Sequence, residues 1–273
     1  MEELEDVFEH WGLKKIFSKV KDLSRPTVDI DLRKQRGIAS EISRSRIGGS
    51  PAMRSSDEWP VDYNGTPQLF VGQINLEEAS KYDETNMLPK KGLLLFFYSQ
   101  DLEFYGSVAE NSKQFKVIFY ENIDDLELRD SPADLDVCDV QYSMSFSKID
   151  TFPSWQSAEI EALEMDEEEV DNYSDCTRNY NHQMLGYACE LQNLMEWECA
   201  LALAGYSPDS ARSEDKEVRD ALAKEKDWVL LCQFLASKDA MPWGDEGELY
   251  FWITKQDLAS KNFDSVWCVM QFT

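Results

Sequence analysis

Two stretches of this chain repeat one pattern, and the repeat limits the folds open to it. Leu88-Pro-Lys-Lys-Gly92 leads into an apolar run, Leu93 to Tyr98, and closes on Asp101-Leu102. Pro242-Trp-Gly-Asp-Glu-Gly247 leads into Leu249 to Ile253 and closes on Asp257-Leu258. The glycine-to-leucine intervals differ by one residue, Gly92 to Leu102 against Gly247 to Leu258. Each stretch follows an apolar segment holding a glutamine: Gln68-Leu-Phe-Val-Gly-Gln-Ile74 with Gln73, and Trp228-Val-Leu-Leu-Cys-Gln-Phe-Leu235 with Gln233. A turn precedes each (Gly48-Gly49; His182 to Tyr187), and an apolar strand follows each, from Phe115 and from Val266. Agreement of ordered blocks predicts a duplication. The expected class is α+β, with two related halves, each a mainly antiparallel sheet with helices, packed as one body with internal pseudo-symmetry. The expected boundaries are a helix at 1–25, a first half at about 26–125 and a second at about 126–273, all in a single domain. A cleft between the halves is where a ligand is expected.

Charge limits the partners. The chain has 53 acidic against 27 basic residues, a net charge of -26. Such a surface repels phosphate backbones, so nucleic acid and anionic membranes are excluded as expected partners, and a basic protein is favoured. None of the six cysteines forms a C-x-x-C pair, and no apolar run approaches the ~18 residues of a membrane span. Free thiols in the reducing cytoplasm are expected.

Local patterns place the rest. Leu4, Val7, Phe8, Trp11, Ile16, Phe17 and Val20 give a helix over 2–23, docked on the protein's own body. Val28, Ile30 and Leu32 alternate with Asp29 and Asp31 as a strand. The segment Arg33 to Arg46 is expected as a basic surface strap. Asn75 caps a short helix from Leu76, with Glu78 in the capping-box position. Leu93 to Tyr98, apolar at every position, is a strand covered on both faces. Residues 124–139 read as loop, Val140 to about Phe152 as a strand, 154–173 and 189–204 as helices, and 213–226 as a mixed-charge helix or loop.

No motif specifies a reaction. Gly48-Gly49 lacks the lysine and hydroxyl of a phosphate loop. The acids between Glu159 and Asp171 lack the alternation and central glycine of a calcium loop. With only two histidines in the chain, zinc is not expected. No cofactor, metal or catalytic set is assigned. The candidates for ligand or partner binding are His182, Gln183, Gln73, Gln233, Trp243 and Asp245. A histidine beside a glycine turn is able to contact a ligand or move a proton, though a structural role is the simpler expectation. Gln73 and Gln233 are buried amides that either pin a neighbouring loop or face a cleft. Asp245-Glu246-Gly247 suits a hairpin turn, and Trp243 is aromatic wall or core.

Ser45-Arg-Ile-Gly-Gly-Ser-Pro51, Trp59-Pro60, Pro67 to Leu76, Leu88-Pro-x-x-Gly92 with Phe96-Phe97-Tyr98, His182-Gln183 before Leu185-Gly186, and Trp243-Gly-Asp-x-Gly247 together resemble the YwqG-like family, over about residues 40–273. The resemblance implies an α+β fold with an internal repeat in a soluble cytoplasmic protein, without a characterised activity. It also implies an association with immunity roles in bacterial toxin systems. Two positions differ from the family pattern. Ala52-Met53-Arg54 stands where Leu-Pro is usual, and Leu185-Gly186-Tyr187-Ala188 where Leu-Gly-Gly-Tyr-Pro is. The expected function is a protein-binding or immunity-type role without catalysis. Two alternatives stand beside it: a small-molecule binder or hydrolase with its site between the halves near His182, Gln73 and Asp245, or motif residues that serve folding alone. Oligomeric state is left open.

Overall fold

The computed structural model describes residues 2–35, 41–101, 105–133, 135, 140–236 and 247–272. Two helices, α1 (Glu2–His10) and α2 (Lys14–Lys21), open the chain. The strands are β1 (Arg25–Gln35), β2 (Arg46–Ile47), β3 (Ala52–Met53), β4 (Leu69–Asn75), β5 (Leu93–Tyr98), β6 (Phe115–Tyr120) and β7 (Glu127–Leu128). They continue with β8 (Gln141–Thr151), β9 (His182–Met184), β10 (Trp228–Phe234), β11 (Glu248–Thr254) and β12 (Trp267–Gln271). The remaining helices are α3 (Leu76–Ala79), α4 (Ala158–Glu161), α5 (Glu167–Thr177), α6 (Glu196–Leu203), α7 (Lys216–Leu222) and α8 (Lys255–Ser260).

Ten strands form one sheet in the order β12-β11-β10-β9-β1-β8-β2-β4-β5-β6, and every neighbouring pair is antiparallel. The long pair β1 and β8 runs through its middle, from Arg25 opposite Thr151 to Gln35 opposite Gln141. The sheet curls until its far strands meet. Phe96 on β5 packs its ring 5.1 Å from Phe234 on β10 and 4.9 Å from Phe251 on β11. At the edges, Met270 on β12 donates its N–H to Tyr105 O at 3.0 Å, and Phe115 on β6 meets Trp267 on β12 at 5.4 Å. The result is nearly a barrel, with the main core inside it.

Strand β5 shows how the apolar sequence is spent. Leu94, Phe96 and Tyr98 face the barrel core, while Leu93, Leu95 and Phe97 face a second cluster under the β3–β7 pair. All six are buried, as a strand apolar at every position requires. The N-terminal helices form a third cluster, in which Phe8, Leu13, Phe17 and Val20 pack on Phe152, Ile160 and Tyr173. The expected docking on the protein's own body is what forms.

Several boundaries differ from expectation for local reasons. The helix over 2–23 breaks at Gly12, whose φ of +73° ends α1 and starts a new axis. The helix over 154–173 becomes α4 and α5, parted at Glu164 (φ +53°) and restarted by Asp166, whose side chain accepts from Glu169 N. The helix from Cys189 begins only at Glu196. Asn75 does cap α3, accepting from Glu77 N, but Glu78 reaches away to Ser45 instead of closing a box. Arg46 is not on a surface strap at all: it is 1% exposed.

Candidate functional site

The loop from Leu185 to Asn193 is irregular, so its peptide groups need partners from elsewhere. Four neighbouring strands supply them. Gln183 on β9 donates to Tyr187 O at 2.7 Å and Leu185 O at 3.2 Å, and accepts from Asn179 Nδ2 at 2.7 Å. Gln233 on β10 accepts from Cys189 N at 2.9 Å and donates to Asn181 O at 3.3 Å. On β11, Tyr250 Oη lies 2.6 Å from Cys189 O. Gln271 on β12 accepts from Leu191 N at 2.9 Å and Gln192 N at 3.1 Å, and donates to Asn193 O at 2.8 Å. Each of the four is buried.

Tyr250 Oη also lies 2.6 Å from Glu248 Oε2. One phenol proton cannot serve both oxygens. Burial pushes the Glu248 carboxyl up to about 7, against the lowering hydrogen bond from Tyr250, so the phenol donates to Cys189 O when Glu248 carries the proton and to the carboxylate when it does not.

The loop's turn is built on backbone that few residues tolerate. Leu185 has φ +61° and Gly186 φ +70°. A Cβ on Gly186 would lie 1.8 Å from Thr27 Oγ1 and 2.5 Å from Thr151 Oγ1. Those two hydroxyls are hydrogen-bonded at 2.8 Å, and Thr151 Oγ1 accepts Tyr187 N, also at 2.8 Å. The glycine is thus required by space as well as by torsion.

A comparable arrangement surrounds Gln73. Its Oε1 accepts from Ala52 N at 3.0 Å, and its Nε2 donates to Ile42 O at 2.8 Å and Arg44 O at 2.9 Å. Opposite it in register, Arg46 on β2 donates to Ile42 O, Arg44 O and Ser50 O. Burial lowers the guanidinium to about 10. Three carbonyls take the donors of this buried cation, which is why it does not lie on the surface.

Of the sequence candidates, His182, Gln183 and Gln233 are neighbours. His182 is 8% exposed, accepts Leu235 N at Nδ1 (3.1 Å), and is lowered to about 4 by burial. It is a neutral acceptor at physiological pH, holding the end of β10. Gln73 lies elsewhere, with β1, β8 and β2 between its strand and that of His182. Trp243 and Asp245 lie outside the described residues. Gln271 and Tyr250 were not among the candidates. Gln271 carries the same signal as the others, one glutamine in an apolar strand.

The far side of the held loop lines two adjoining cavities. One, of about 230 Å³, lies between Phe152–Gln156, Ser174–Asn179 and Tyr187–Gln192. The other, a groove of about 520 Å³, shares Ser154, Tyr187 and Glu190 with it and reaches Glu196, Trp197 and Trp228. Glu190, at the junction, is pushed up to about 8 by burial and then by the charge of Glu196, against the pull of Arg178. Burial raises Glu196 too, with Arg25 opposing. Arg25 stacks its guanidinium 4.0 Å above the Tyr187 ring. Among the described residues no cluster of three or more histidine, cysteine or acidic side chains is placed to hold a metal. Among the same residues, no helix is long and apolar enough to cross a membrane.

No curated protein matches the chain. A family model does, over residues 45–271, and its description is a domain of unknown function, DUF1963. That span runs from the Ser45 that Glu78 holds to the Gln271 that closes the loop network. The chain belongs to the DUF1963 family.

Proposed function

We propose that this protein binds a basic protein partner on its acidic surface without catalysing a reaction, in an immunity-type role in the cytoplasm. The supporting observation is the charge, -26 from 53 acids and 27 bases, most of it free to act at a distance. The YwqG-like motifs agree with such a role, and His182 and the strand glutamines are occupied in holding backbone. The five described free thiols agree with a reducing compartment.

We also read the two halves as a duplication. Gln73 and Gln233 each hold the chain on both sides of a neighbouring short strand, and bulges fall between Phe70 and Gly72 and between Leu230 and Cys232.

Capture from native lysate at low and at 0.5 M salt, followed by binding of the purified captured protein, tests the function. The expected result is a basic protein retained at low salt and released at high salt. Retention of nothing at low salt, or of a partner indifferent to salt, sinks the proposal.

A further inference from the structure

We infer that the groove beside Tyr187 is a receptor for an arginine side chain presented by a basic peptide segment. This rests on the reading of a basic protein partner and gives that partner a contact point. Three independent features meet in the groove. Its lining carries five carboxylate residues (Glu159, Glu161, Glu190, Glu196 and Glu225) against three cations (Arg25, Lys226 and Lys255). The ion pairs among the described residues all lie elsewhere, so Glu190 and Glu196 face the cavity without one. Lys255 Nζ is already taken up by Lys226 O at 2.7 Å.

The second feature is an unused hydroxyl. Ser157 lines the groove, is 9% exposed, and its Oγ has no hydrogen-bond partner. It stands at the N-cap of α4 yet makes no cap bond there. A buried hydroxyl without a partner is costly, and a donor entering the groove would satisfy it.

The third feature is the wall. Tyr187, Trp197 and Trp228 line the same groove. Tyr187 already carries one guanidinium, that of Arg25, on its ring. A planar, weakly hydrated guanidinium suits aromatic walls and paired carboxylates better than an ammonium does, which favours arginine over lysine. Burial holds both carboxyls, Glu190 and Glu196, toward their protonated forms, with Arg178 and Arg25 pulling the other way, so an entering guanidinium would draw them toward carboxylates.

The test is calorimetric titration with a capped Gly-Arg-Gly-Arg-Gly peptide and its citrulline counterpart, which keeps the shape and removes the charge. The arginine peptide is expected to bind at least about tenfold more tightly than the citrulline one. Glu196→Gln is expected to weaken it about tenfold and Ser157→Val about fivefold. Glu167→Gln with Glu168→Gln, two exposed acids on α5, should change it less than about twofold. The parent protein gives a variant-free readout: the Trp197 indole N–H resonance should move on titration. Equal loss from the α5 variant, or a Trp197 resonance that stays fixed, would falsify the groove as receptor while leaving the acidic-surface reading intact. A peptide that does not bind, beside a captured basic protein that does, also removes the groove alone. Absence of both removes both.

Discussion

Gln183 and Gln233 face each other in register across β9 and β10, and both turn their amides onto one loop. The loop has no regular structure between Leu185 and Met195, yet its backbone is held from four strands. Buried amides at the end of an apolar sheet thus act as a rack that fixes the wall of the groove. Because every amide is matched on both its oxygen and its nitrogen, each deletion orphans buried peptide groups.

Gln233→Leu keeps the size and removes both functions. It leaves Cys189 N and Asn181 O without their partner, and each orphaned buried group costs about 1–3 kcal/mol. The expected loss is about 2–4 kcal/mol by urea unfolding. Gln233→Glu keeps the acceptor for Cys189 N and should lose less if its carboxyl is protonated. A loss under about 0.5 kcal/mol in the leucine variant would mean the loop holds itself.

Much of this was open to the sequence, for identifiable reasons. The apolar runs of β4, β5, β10 and β11 declare themselves, because buried strands leave little choice of residue. The glutamines inside them stood out as polar groups in apolar company. What they hold was not legible, since a hydrogen-bond partner 44 residues away, as Cys189 is from Gln233, leaves no local trace. The loop at 189–195 passed for helix because its apolar spacing is helical while its backbone obeys the glutamines. Arg46 passed for surface because charge predicts exposure, and only the fold brings carbonyls to it. The cavities draw on segments from residues 25, 153, 187, 225 and 255, which no periodicity connects.

Gly186→Ala should be far more damaging than Gly12→Ala, although both glycines have φ near +70°. Gly12 has nothing within 4 Å of an added Cβ, so its cost is the left-handed torsion, about 1–2 kcal/mol. Gly186 adds a collision with the hydroxyls of Thr27 and Thr151, for a total of about 3–5 kcal/mol. Thr27→Ala in the Gly186→Ala background should recover part of that loss. Equal melting-point shifts for the two single variants would show that torsion alone matters.

The described cysteines should be inert in the folded protein. Burial pushes Cys176 up to about 11 and Cys189 up to about 12, and raises Cys199, Cys232 and Cys268 as well. At pH 7.5 a thiol at about 11 is thiolate in on the order of one molecule in a few thousand. Iodoacetamide at that pH, read by peptide mass mapping, should leave these five unmodified until denaturant is added. Cys176, the one half-buried member, should react first. Early labelling of Cys232 would contradict its burial in the core of the curled sheet.

Stability should fall as pH rises from about 6.5 to 8.5, and Glu190 should be a main cause. Its folded value of about 8 lies above the ordinary 4.5, so the native state binds more protons than the unfolded chain between those values. Stability from such a group is full below about 4.5 and is lost as pH rises through about 8. Glu248, at about 7, acts in the same direction. His182 acts oppositely: its folded value of about 4 lies below 6.5, so its contribution is present above 6.5 and lost on acidification. The groups oppose one another below about 6.5, and above it only the carboxyls still change. Urea midpoints at pH 6.0, 7.0 and 8.5, in enough salt to screen the net charge, should therefore decline with pH in the parent. Glu190→Gln is neutral at every pH, so it should match the parent only below about 4.5, already exceed it at pH 6, and exceed it further at pH 8.5. A Glu190→Gln variant that tracks the parent across the whole range would show that the Glu190 carboxyl is ionised in the fold, with a cation of the groove as its partner.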